Sequence, residues 1–197
     1  ALVIVLGPGY IKRERAKGTS MRIARDLADA VGHTPLIRLN KVSEETGCEI
    51  DINTSEIRLR SSGKLRPVSV TTAIYPGFPT DVQAQWTAMM TIADGPSVVT
   101  DRICQDRFSH VPELARLGCG INVQKNSAMI DGRSTLTGAT VMSTDLRGSV
   151  AMVMAGLVAA GETEVLRIYH LDRGYERLES KLRSLGADIE RRSTERF

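Results

Sequence analysis

Aromatic residues are scarce in this chain, 4% of 197 residues. Stacking platforms for nucleic-acid bases therefore have little to be built from. Cysteine is equally thin. Cys48, Cys104 and Cys119 lie far apart, odd in number and without a CxxC pair, which argues against a disulfide framework or a zinc site and fits a reducing compartment. His33, His110 and His170 are just as scattered, and none stands at metal-ligand spacing. Long apolar runs are missing too: nothing approaches the roughly 20 residues that a membrane helix needs. Ala1–Leu6 is apolar but short, and it precedes the basic residues, the reverse of a secretory signal. There is no GxxxxGK[ST] phosphate loop. These absences point to a cytoplasmic protein with no metal, no membrane partner and no nucleic-acid partner.

Charge of one sign is also limited. The formal net charge is +3, and Lys12, Arg13, Arg15 and Lys17 against Glu14 already account for it. The remainder is neutral, so bulk charge does not make it a polyanion binder. Hydrophobic content of 42% and charged content of 25% are ordinary for a globular protein, and the length suffices for one large domain or two small ones.

In chain order, Ala1–Leu6 reads as a buried strand closed by Gly7-Pro-Gly9. Residues 11–20 form a basic, helix-capable run without an apolar face, the usual pattern of a solvated segment. Ile23, Leu27 and Val31 then give a helical stripe, followed by Gly32-His-Thr-Pro-Leu-Ile-Arg-Leu39. From Met21 to about Ile50 the chain resembles the opening of pyridoxal-phosphate-dependent cysteine synthases. The lysine loop of that family does not follow, because Lys64 in Ser-Ser-Gly-Lys is a different motif. No cofactor is therefore expected.

From Gly47 onward the sequence repeats. Gly47-Cys-Glu-Ile50, Gly118-Cys-Gly-Ile121 and Gly186-Ala-Asp-Ile189 recur at intervals of 71 and 68 residues. Apolar alternation follows the first two, at Ile50, Ile52, Ile57 and Leu59, then at Ile121, Val123, Met129 and Ile130. Each copy next offers a β-rich segment and a Thr-Asp pair at a helix start, Thr80-Asp81 and Thr144-Asp145. The fold class predicted is α/β (α+β), built of repeated βαβαββ units of which two to two and a half are present. Strands are expected near 66–72, 97–102, 121–124, 127–131, 138–142, 164–168 and 187–191. Helices are expected near 81–93, 110–117, 146–160 and 175–185, the third apolar all round and so central.

Tyr75-Pro-Gly-Phe-Pro-Thr-Asp81 is the stretch with most chemical meaning. Its prolines and glycine forbid regular structure, and Thr80 with Gln83 reads as a capping box that delivers Asp81 to the first turn of a helix. This stretch, Asp106-Arg-Phe108 with His110, Thr144-Asp-Leu-Arg147, and Tyr169-His-Leu-Asp-Arg-Gly-Tyr-Glu-Arg177 occur in order. Together they resemble the C-terminal half of the UDP-N-acetylglucosamine enolpyruvyl transferases (1-carboxyvinyltransferases), over about Gly47–Arg192. That family shares a fold of two domains of three βαβαββ units each, in agreement with the repeat.

The resemblance implies roles. Asp81 would contact the sugar 3-hydroxyl as candidate general base, and Asp145 would lie beside the reacting centre. Arg107, Arg147 and Arg173 would surround phosphoenolpyruvate, whose carboxylate and phosphate suit guanidinium forks, and Ile103 would join the substrate-binding set. Departures are mild: Ile74 for the usual proline, Gln105-Asp106 for Glu-Asn, and Ser143 and Gly148 for alanines. A larger one is length. The family's N-terminal domain, with its Lys-Asn pair, further arginines and loop cysteine, has no counterpart here, and no catalytic cysteine is assigned.

The expected organisation is thus a head, residues 1–46, packing poorly against an enolpyruvyl-transferase-like domain, residues 47–197, as in a truncated or fused chain. The expected partners are UDP-N-acetylglucosamine, phosphoenolpyruvate and a complementing N-terminal domain. Activity is expected to be lost in isolation. The alternative is a non-catalytic domain or artificial chimera that keeps a weak anion site.

Overall fold

The computed structural model describes residues 2–6, 45–52, 57–61 and 63–193. The strands are β1 (Leu2–Leu6), β2 (Cys48–Ile52), β3 (Ile57–Ser61), β4 (Val70–Thr71), β5 (Ser97–Thr100), β6 (Ile121–Gln124), β7 (Ser127–Ile130), β8 (Thr140–Met142), β9 (Gly161–Leu166) and β10 (Ile189–Arg191). The helices are a 3-10 turn (Thr80–Val82), α1 (Gln83–Met90), α2 (Val111–Arg116), α3 (Leu146–Gly156), α4 (Tyr169–Asp172) and α5 (Leu178–Ser184). They fall into two units, Glu14–Arg66 and the remainder. The basic run 11–20 and the helix expected near 21–31 lie outside the described residues.

In the smaller unit β2 and β3 form an antiparallel hairpin whose register pairs Ile50 with Leu59 and Ile52 with Ile57. These are the alternating apolar positions of the sequence.

The larger unit contains two four-stranded sheets, ordered β4-β5-β7-β6 and β8-β9-β1-β10. Their strand directions match one for one. β4 runs parallel to β5 and β8 parallel to β9. β7 is antiparallel to β5 and β6, as β1 is to β9 and β10. Two copies of one βαβαββ topology result. In the second copy the fourth strand is supplied by the opening residues of the chain.

That strand departs from the expectation of a poorly packed head. The run Leu2–Leu6 pairs on both sides, and Val3 is wholly buried. An apolar strand with two free edges is satisfied only inside a sheet.

Helices α1 and α3 occupy the middle. Ala84 and Ala88 of α1 share one apolar cluster with Ala151, Met152 and Ala155 of α3, joined by Val141, Val165, Leu171 and Ile189. Small side chains let the helices approach closely, and both are buried on several sides.

Three boundaries moved for local reasons. The strand expected at 66–72 shrinks to Val70–Thr71, because Pro67 cannot donate to a ladder. Helix α3 ends at Gly156, not near 160, and Val158 is exposed; the chain turns at Gly161 (φ 92) into β9. Helix α5 starts at Leu178, since Arg177 takes a left-handed conformation (φ 47).

Candidate active site

The Tyr75–Pro79 loop is closed by backbone bonds from Gly77 N–H to the Ile74 carbonyl (2.8 Å) and from Ala73 N–H to the Phe78 carbonyl (3.0 Å). Phe78 packs edge-on against Trp86 of α1, ring centroids 5.3 Å apart. The loop is thereby anchored and hands the chain to the turn carrying Asp81.

The capping box expected there does not form. Thr80 makes no cap bond; its hydroxyl donates to Asp101 Oδ2 at 2.6 Å. The Gln83 side chain is fully buried with neither amide atom partnered. The Thr80 hydroxyl oxygen accepts from Arg107 Nη1 in place of a helix N–H, and Val82 N–H closes the turn onto the Pro79 carbonyl.

Asp101, at the end of β5, is wholly buried. Its Oδ1 accepts from the Thr72 hydroxyl (2.7 Å) and from the backbone N–H of Ile103 (2.9 Å) and Cys104 (2.8 Å). Burial pushes its carboxyl pKa up. The bonds from Cys104, Thr80, Thr72 and Ile103 outweigh that and hold it below the usual range.

Asp81 Oδ1 accepts from Arg147 Nε at 2.6 Å and Arg107 Nη1 at 3.0 Å. The Arg147 bond is the largest influence on its pKa, which is lowered despite some desolvation. Arg107 Nη1 also donates to Thr80 Oγ1 (3.1 Å).

Asp145 is the N-cap of α3, accepting from the backbone N–H of Arg147 (2.7 Å) and Gly148 (3.1 Å). Burial raises its pKa, but these bonds, with weaker ones from Thr144 and Ser109, bring it down. The two Thr-Asp pairs thus occupy corresponding places and do different work. One aspartate caps its helix, and the other faces arginines.

Beside Asp145, His110 is buried with Nε2 unpartnered; burial lowers its pKa to about 4, with the Asp145 charge acting in the opposite sense.

Cys104, Gln105, Asp106, Arg107, Ser109, Asp145 and Arg147 line an open cleft of about 460 Å³. Its charged lining is two arginines against two aspartates, with Asp81 bonded to both arginines. The arrangement offers guanidinium groups to an anion and a solvent-facing carboxylate to a proton.

Of the residues singled out by sequence, Asp81, Arg107 and Arg147 come together directly, and Asp145 joins them through Arg147. Ile103 is exposed on the turn held by Asp101. Arg173 is exposed at the end of α4, and its side chain forms no hydrogen bond or ion pair with the described residues. Asp101 and Thr72 were missed, and the Thr80 hydroxyl was read only as a helix cap. The available signal was an acidic residue closing the β-rich run Ser97-Val-Val-Thr100, of which Val99 is wholly buried. Among the described residues no group of three or more His, Cys, Asp or Glu could hold a metal ion, and no helix is long and apolar enough to cross a membrane.

Duplicated βαβαββ units with acid–arginine clusters at the helix starts define a class. Residues 30–182 match the family of EPSP synthase (3-phosphoshikimate 1-carboxyvinyltransferase), and the chain belongs to this enolpyruvyl transferase family. The match begins at residue 30, ahead of Gly47.

Within the family, the chain is 57% identical over 152 residues to the UDP-N-acetylglucosamine 1-carboxyvinyltransferase of Chlorobium phaeovibrioides, covering 77% of this chain and 36% of the relative. To the protein of the same name from Chlorobium limicola it is 52% identical over 169 residues, 86% of this chain and 40% of the relative. It therefore spans little more than a third of the length of these curated relatives. The crystal structure of the enolpyruvyl transferase NikO from Streptomyces tendae superposes with a TM-score of 0.70 at 30% identity, over 76% of this chain and 35% of that one.

Proposed function

We propose that this chain carries the base-bearing side of a site that moves the enolpyruvyl group of phosphoenolpyruvate to the 3-hydroxyl of UDP-N-acetylglucosamine, a cytoplasmic step toward peptidoglycan. The observation that carries the reading is Asp81 Oδ1 held by both Arg107 and Arg147 at the rim of a cleft also lined by Asp145.

Asp81 accepts the proton of the attacking hydroxyl. The new C–O bond forms at the phosphate-bearing carbon while the methylene carbon takes up a proton. Loss of a proton from that methyl carbon then expels phosphate and restores the double bond. Arg107 and Arg147 neutralise the phosphate and carboxylate, Arg173 supplies a third cation, Ile103 lines the substrate side, and Asp145 stands by the reacting centre. Residues from Gly47 onward form the transferase portion in this reading.

These 197 residues span little more than a third of the relatives' length, and in this reading the second wall of a closed site comes from outside them. Positioning supplies about 7–11 kcal/mol of barrier reduction where it is complete, and an open site forgoes most of it. The 197-residue chain is therefore expected to release no phosphate from the two substrates. Co-expressed with the segment of the Chlorobium phaeovibrioides relative outside the matched region, it gains turnover that Asp81→Ala abolishes. Turnover by the lone chain, or complemented turnover indifferent to Asp81→Ala, would overturn the reading.

A further inference from the structure

We infer that Asp101 is a positioning residue for Arg107, acting through the Thr80 hydroxyl; the functional importance of Arg107 rests on the site reading above. Asp101 never reaches the cleft. It is wholly buried and ionised, and a carboxylate only accepts. The Thr80 Oγ–H must therefore point at Asp101 Oδ2, 2.6 Å away.

This fixes the hydroxyl's polarity. Its single proton is committed, so Thr80 Oγ1 turns lone pairs outward, where Arg107 Nη1 donates at 3.1 Å. The same Nη1 donates to Asp81 Oδ1 at 3.0 Å. One guanidinium nitrogen is thus held between two adjacent acceptors of one turn. The other guanidinium nitrogens make no hydrogen bond to the described residues and remain for the cleft that Arg107 lines.

Asp101 also grips the loop that carries Arg107. It accepts from the N–H of Ile103 and Cys104, and Cys104 C=O accepts from Arg107 N–H at 3.2 Å. The buried carboxylate therefore sets both the loop and the acceptor that orients its arginine.

Thr72 provides the control. Its hydroxyl donates to the other oxygen, Oδ1, at 2.7 Å and accepts from Arg102 N–H at 3.0 Å. It touches the same carboxylate but leads nowhere near the guanidinium.

The test compares Thr80→Val, Thr80→Ser and Thr72→Val by two readouts. The first is hydrogen exchange of the Arg107 guanidinium by nitrogen-15 NMR, which needs no ligand. The second is affinity for sulfate at low ionic strength. Thr80→Val keeps the shape and removes the hydroxyl; it should speed guanidinium exchange and weaken sulfate binding by roughly three- to tenfold, the worth of one hydrogen bond. Thr80→Ser should restore both. Thr72→Val should lower stability and leave both unchanged. Unaltered Arg107 exchange in Thr80→Val, or equal effects from Thr72→Val, would overturn the inference. If the unsubstituted chain binds no sulfate at all, the anion-site reading fails, while Arg107 exchange still decides the positioning role.

Discussion

Asp81 competes with any anion for the two arginines, so removing its charge should strengthen anion binding. Asn at this position keeps the side chain's shape and one acceptor oxygen. What it loses is the attraction of Oδ1 to Arg147 Nε (2.6 Å) and Arg107 Nη1 (3.0 Å). The Asp81 side chain is 64% exposed, against 34% for Arg147 and 24% for Arg107, so both pairs lie in a largely aqueous environment. Solvent-screened pairs are worth roughly 0.2–1 kcal/mol each, which sets the gain near 1 kcal/mol. Sulfate affinity should rise about fivefold in Asp81→Asn, with the gain shrinking as salt is added. Sulfate suits the assay because its charge is constant from pH 5 to 8; the amide shifts of Arg107 and Arg147 report occupancy. Weaker or unchanged binding would refute the competition and the electrostatic picture of the cleft with it.

Two further outcomes concern stability. His110 is neutral when folded and its pKa is depressed from 6.5 to about 4; the unfolded chain binds more protons in that window, so stability should be full above pH 6.5 and decline toward pH 4. The loss is on the order of 3 kcal/mol, and urea midpoints across this range should flatten in His110→Gln; an unchanged slope tells against the buried imidazole. Met152 is wholly buried where α3 meets α1, so Met152→Ala should cost roughly 2–5 kcal/mol in chemical denaturation, and a cost under 1 kcal/mol would mean that the helix pair is not packed as described.

Much of the architecture was legible because it repeats. Gly47, Gly118 and Gly186 mark three equivalent strand starts, and the second copy disambiguates the first: β6 and β7 match expectation at almost every residue. Boundaries failed where a single backbone conformation decides, as at Arg177 and Gly161, which periodicity cannot register. The site divided along similar lines. Asp81, Arg107 and Arg147 lie in distinctive motifs. Asp101 lies in an ordinary strand end, and its importance arises from hydroxyls 29 and 21 positions earlier, Thr72 and Thr80. No local pattern announces a partner that distant. The capping-box reading of Thr80 went astray for the same reason: local hydrogen-bond grammar was overridden by partners from elsewhere.

The placement of β1 has a consequence for how the chain must come together. Leu2 lies opposite Arg191, so the last strand ends where the first begins, as the two arms of a hairpin lacking its turn. The corresponding pair β6 and β7 is joined by only Lys125 and Asn126. Closing the second sheet instead brings together residues almost the full chain length apart, an entropic cost greater by roughly 3 kcal/mol than for a short turn. Until β1 has docked, β9 and β10 each present a bare edge. Integrity of the second sheet depends on five apolar residues, Leu2–Leu6, that are far from its other strands in sequence.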